Sequence, residues 1–145
     1  MIRAEVNQTL LPSRWRVSPR WLQTLLNVAA RILRLRSAGS LSLAFVDHRA
    51  MRRLNRSYRG KDRVTDLLSF GGRKDQKFLG ELLIAWPYAR RQAKARGKTW
   101  EEELALLIAH GLLHLRGYDH ETKKESRVMF SLQDKILKQF FYARS

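Results

Sequence analysis

The sequence contains no cysteine, which excludes disulfides and thiolate metal sites. Acids are scarce: 13 Asp and Glu stand against 29 Lys and Arg, a formal net charge of +16 over 145 residues. Long hydrophobic runs are missing too. The longest, Leu104–Ala109, falls far short of the roughly 18 residues that a membrane span needs, so no membrane partner is expected. The opening stretch, MIRAEVNQTLLPSRWR, lacks the apolar core of a secretory signal, and a cytoplasmic location is expected. No internal repeat and no low-complexity tract interrupts the chain. What is present is 44% hydrophobic residues, enough for one real core, so a single domain over residues 1–145 is expected. A surface this basic attracts polyanions, with nucleic acid first among them.

The positive charge is unevenly placed. Residues 1–98 hold 22 Lys and Arg against 6 Asp and Glu, whereas residues 99–145 hold 7 of each. All of the excess therefore lies in the first two-thirds of the chain.

Periodicity and punctuation outline the elements. Ile2–Asn7 alternates weakly, as an edge strand does. Ser18-Pro19 starts a helix to about Leu35, with Leu22, Leu25, Leu26, Ala29, Ala30 and Leu33 on one face. Leu41, Leu43 and Phe45 alternate through a half-buried strand over Ser40–Val46. Asp47 caps a helix to about Tyr58. On its polar side Arg49, Arg52, Arg53 and Arg56 follow helical spacing, with no acid among them. Such a stripe repels itself, and phosphates relieve that repulsion. Arg59–Asp66 reads as a charged loop. Leu67–Phe70 and Leu79–Ile84 read as short strands about a turn at Gly71–Lys77. Pro87 to about Arg96 reads as a basic helix, and the cations over residues 90–98 also suit a nucleic-acid backbone. Thr99 and Glu102 form a capping box for a helix through Leu115. Glu101, Glu102 and Glu103 complement the positive end of its dipole. Gly117 stops it in a left-handed turn. A last amphipathic helix runs from about Lys123 to Phe141. The arrangement is α+β, with a small sheet.

The chemistry concentrates in HGLLHLRGYDH. His110 and His114 are four apart on a helix, so both imidazoles project from one face and reach one metal at about 2.0–2.1 Å. Gly117 turns the chain so that His120 returns as a third ligand. Three neutral imidazoles leave a coordination position open, as catalytic zinc sites do. Nickel, iron or copper would also accept this donor set. Asp119 either orients a ligand histidine or caps the following helix. His48 has no such partner and reads as a surface or capping residue. The spacing is that of zincin peptidases, but those carry a glutamate base directly after the first histidine. Gly111 occupies that position, and it can do no acid–base chemistry.

These residues, with LNRSYRGKDRVTDLLSF and LGELLIA ahead of them, closely resemble the YbeY family of bacterial rRNA-maturation endoribonucleases, from about Leu41 to Phe140. The resemblance implies a metal-dependent, single-strand-specific endoribonuclease acting on ribosomal RNA of the small subunit and in ribosome quality control. It implies a small mixed sheet, four-stranded, packed with about five helices, among them a zincin-like metal helix. It carries the zinc ligands onto His110, His114 and His120, and the functional arginine onto Arg59. The sequence departs from the family pattern at Glu81, where an aspartate is usual, at Gln133, where an acid is usual, and at Leu106, where many members have a histidine.

On this reading Arg59 stabilises charge on the phosphate as a catalytic group, and Arg49, Arg52, Arg53 and Arg56 extend a substrate-binding track. Asp66 and Glu81 are alternative general bases beside the metal. Of the aromatic residues Tyr58, Phe70, Trp86 and Tyr118, Tyr118 is the one assigned to the substrate. The alternative reading is an RNA-binding ribosome-assembly factor with a structural metal and little catalysis.

Overall fold

The computed structural model describes residues 2–35, 39–60, 65–71 and 77–144, without the side chains of 59, 143 and 144. The expected charged loop and the Gly71–Lys77 turn fall largely outside these residues.

The elements follow in the order β1 (Ile2–Asn7), α1 (Pro19–Ile32), β2 (Gly39–Val46), α2 (His48–Arg59), β3 (Leu67–Gly71), β4 (Phe78–Ala85), α3 (Trp86–Ala95), α4 (Trp100–Leu115) and α5 (Lys123–Arg144). A short 3-10 turn at Ser13–Trp15 precedes α1. The fold is α+β, and the sheet is mixed, in the order β1-β2-β4-β3. β1, β2 and β4 run parallel, and β3 pairs antiparallel with β4. β1 is an edge strand, as its weak alternation suggests.

Local chemistry accounts for the helix starts. Ser18 Oγ accepts the Trp21 N–H at 3.1 Å, and Asp47 Oδ1 accepts that of Ala50 at 2.8 Å. Thr99 and Glu102 exchange both capping-box bonds at 3.1 Å. One helix end differs from expectation. α1 stops at Ile32 instead of about Leu35, because Arg34 adopts a left-handed φ of 55°. The Leu35 N–H then bonds back to Ala30 O at 2.9 Å, closing the helix with an arginine where glycine is usual.

The sheet divides two apolar layers. On one face Leu41, Leu43, Phe45, Leu82 and Ile84 pack with α1, α4 and α5 in the main core. On the other, Leu83 and Ala85 meet Met51 of α2 and Leu68 of β3. α4 lies very close to the strands. A Cβ on Gly111 would stand 2.6 Å from Leu82 Cδ2 and 3.4 Å from Leu67 Cδ2. Gly80 in β4 is equally constrained. Its φ is +146°, and a Cβ there would meet the Phe70 carbonyl oxygen at 2.4 Å.

Candidate metal centre

α4 places His110 and His114 one turn apart over β3 and β4. Gly117, at φ +91°, then ends the helix. The Tyr118 N–H reaches Leu113 O and the Gly117 N–H reaches His114 O, each at 3.0 Å, the paired bonds of a Schellman stop. This sharp reversal returns His120 to the same place. One ligand atom from each of the three histidines lies within 4.8 Å of the others. The Nε2 atoms of His110 and His114 are 3.1 Å apart.

That geometry suits a metal. Two nitrogens bound tetrahedrally at 2.0–2.1 Å stand about 3.3 Å from each other. The tautomers suit it as well. His110 Nδ1 lies 2.8 Å from Gln133 Oε1, an acceptor, so Nδ1 carries the proton and the Nε2 lone pair faces the cluster. Burial, with the charges of His110 and His120 beside it, lowers the His114 pKa below 6.5. The neutral imidazole, which is the ligating form, is thereby favoured.

Asp119 resolves between its two readings in an unexpected way. Thr122 caps α5, its Oγ1 accepting the Glu125 N–H at 3.1 Å. Asp119 Oδ1 instead accepts the His120 backbone N–H at 2.7 Å, so it holds the third histidine's main chain. Phe130 of α5 stacks against His120, with ring centroids 6.3 Å apart.

The histidines open into a cleft of about 890 Å³ whose far wall is the β3 segment, with Thr65, Asp66, Ser69 and Phe70. Tyr58, at the end of α2, closes one side and meets Phe70 edge-on at 5.1 Å. Two sequence expectations need correction here. Glu81 does not join the cleft, because strand alternation puts it on the face of β4 shared with Leu83 and Ala85, toward α2. Tyr118 is half-buried and does not line the cleft, whereas Tyr58, Phe70 and Phe130 do. The stripe of Arg49, Arg52, Arg53 and Arg56 is exposed on α2, across the sheet from the histidines. α2 reaches the cleft at Tyr58, near its end. Arg59 is the last residue of that helix, and its side chain lies outside the described atoms.

Two buried polar residues, Gln133 in the cleft and Glu103 behind it, take roles that their sequence positions alone do not assign. Gln133 is 6% exposed and continues the buried stripe of Met129, Ile136 and Phe140. A polar residue in an apolar stripe needs a partner, and His110 is that partner. Glu103 is 1% exposed in the first turn of α4, where acids are ordinary on the surface. Its partner is Arg96, at 3.1 Å, which lines the cleft.

A family model described as Endoribonuclease YbeY matches residues 6–141. The Endoribonuclease YbeY of Geobacillus thermodenitrificans is 40% identical over 135 residues, covering 85% of this chain and 86% of that protein. That of Bacillus cereus is 36% identical over the same length and shares. The solution structure of a Thermotoga maritima protein superposes with a TM-score of 0.66 at 28% identity, covering 99% of this chain and 91% of that one.

Proposed function

The chain belongs to the endoribonuclease YbeY family, and from that premise we propose that it is a metal-dependent hydrolase that cuts single-stranded RNA. The observation that carries the metal dependence is the convergence of His110, His114 and His120 on one point at the floor of an open cleft. His110, His114 and His120 would hold a divalent ion, zinc by preference, which would supply Lewis acidity toward a phosphoryl oxygen and water. Nickel or another divalent metal would fit the same nitrogens.

The protein's own groups then have separate tasks. Gln133 keeps the His110 tautomer that points Nε2 inward. Asp66, the one of the two candidate bases that lines the cleft, receives the proton of the attacking oxygen on its carboxylate, and solvent water protonates the ribose oxygen that leaves as its bond to phosphorus breaks. Arg59 offers its planar fork to the phosphate as charge develops. Tyr58 and Phe70 present ring faces and edges on which an unpaired base can stack, which a base held in a duplex cannot do. Peptide hydrolysis is disfavoured twice over. Gly111 has no carboxylate, and a side chain there would run into Leu82 of the sheet instead of facing the histidines.

Family membership and the net charge of +16 support ribosomal RNA of the small subunit as the target, met in the cytoplasm. No helix among the described residues is long and apolar enough to cross a membrane. The catalytic machinery is assigned to one domain, residues 1–145.

The test is cleavage of matched single- and double-stranded RNA by the wild type, His114→Ala and Arg59→Ala, with metal content measured on each sample. The proposal expects preference for the single strand, loss of both metal and cleavage in His114→Ala, and loss of cleavage with metal retained in Arg59→Ala. Full cleavage by a metal-free His114→Ala protein would overturn it. RNA binding without any metal-dependent cleavage would favour an assembly factor with a structural metal instead.

A further inference from the structure

Among the described residues that line the cleft, the acids are Asp66, Asp119 and Glu121, and Arg96 is the only lysine or arginine. Of its neighbours in the basic run over residues 90–98, Lys94 is exposed on α3 and does not line the cleft, and three others have partners elsewhere. Arg90 stacks over the Trp15 ring at 3.9 Å, Arg91 lies near the Tyr88 ring, and Lys98 pairs with Glu102 at 3.9 Å. Arg96 is thus set apart from them by the fold.

It is also held in place at both ends. Its backbone is the C-cap of α3, where Gly97 takes a φ of +67° and the Lys98 N–H bonds to Ala93 O at 2.8 Å. Its guanidinium donates through Nη1 to the buried Glu103, at 3.1 Å to Oε1 and 3.5 Å to Oε2. The side chain is still 52% exposed. One nitrogen of the fork is therefore committed, while the others make no hydrogen bond to a described residue in a side chain that lines the cleft. Glu103 stands on the same stripe of α4 as His110, seven residues earlier, which is about 10 Å along the helix axis. Thr65 and Ser69 present hydroxyls in the wall of the same cleft.

We infer that Arg96, braced by Glu103, is a second phosphate-binding subsite in the cleft, gripping the RNA strand at a position removed from the cut. The inference rests on the nuclease reading for the identity of its ligand and deepens it. A braced guanidinium loses little freedom on meeting a phosphate, so its contribution appears in affinity and in how many nucleotides the enzyme senses. It does not touch the reacting atoms and should leave the chemical step alone. The competing explanation is that Arg96 only neutralises a buried acid. A lysine would serve that need, but it lacks the fork.

The experiment uses the metal-loaded protein and uridine oligoribonucleotides of increasing length, which form no duplex. Cleavage is measured at several salt concentrations for the wild type, Arg96→Ala, Arg96→Lys and the double variant Arg96→Ala/Glu103→Gln. The double variant removes the buried charge that the single alanine change would strand. Expected for Arg96→Ala and the double variant is a KM raised about tenfold on long substrates, with kcat within about twofold and short substrates unaffected. The slope of log affinity against log salt should fall by about 0.7, the value of one phosphate contact on a single strand. Arg96→Lys should recover the salt slope but only part of the KM. A wild-type KM and slope in the double variant would overturn the subsite, as would a loss confined to kcat. The two readings fail separately. Cleavage without any dependence on Arg96 leaves the nuclease standing and removes the subsite. Binding of the same oligonucleotides with an Arg96-dependent slope but no cleavage removes the nuclease and keeps the subsite.

Discussion

The outer face of α2 and the floor of the histidine cleft lie on opposite sides of one sheet, and they solve different problems with different chemistry. The α2 face presents Arg49, Arg52, Arg53 and Arg56 to solvent. Among the described residues, the cleft has three histidines, several acids and one braced arginine. A strongly basic floor would hold phosphate wherever it landed. In a cleft lined by acids, a metal ion held by the histidines would be the dominant positive charge, and on the proposed reading it would draw the strand to one point. The difference teaches where to look for attraction and where for reaction, on the proposed reading that the two are separable. Changes on α2 and at Arg96 should alter affinity and salt response, and changes at the histidines, Gln133 or Asp66 should alter turnover or metal retention.

The largest effect should come from asking which acid belongs to the cleft. Asp66→Asn should lower kcat by roughly 10²–10⁴ with metal content unchanged, the range of a lost general base, as single-turnover cleavage would report. Glu81→Gln, on the α2 side of the sheet, should leave kcat near wild type. Equal losses in the two variants would erase the distinction between the two faces.

Replacing all four arginines of the α2 stripe with glutamine probes the other region. If each contacts a phosphate, the salt slope falls by about 2.8 and affinity for single strands by about a hundredfold near physiological salt. Cleavage at saturating RNA should stay within about threefold of wild type. A fall in kcat with an intact salt slope would contradict the division. The smallest effect sharpens the cleft itself. Gln133→Ala should weaken metal binding by about 10–100-fold, measured by competition with a chromogenic chelator, while the fold melts cooperatively as before.

Much of the architecture was readable along the chain. Ser18, Asp47 and Thr99 each accept the N–H expected of a capping side chain, and Gly117 ends α4 where the turn requires it. These are local rules that act within one helical turn, so a single stretch of sequence is enough to state them. The histidine cluster was readable for the same reason, since two of its members share a helix face and a glycine returns the third. The end of α1 was not, because Arg34 enters a conformation that its residue type rarely adopts.

The sequence alone therefore determined the element order, the caps and the histidine cluster, all of which depend on neighbours a few residues away. Only the tertiary structure decided that Glu81 faces α2, that α4 approaches β4 closely enough to require Gly111, and that Arg96 enters the cleft on the arm of Glu103. Those outcomes follow from strand register and from helix-to-sheet packing between segments distant in sequence, and no periodicity within one segment specifies which face another will cover.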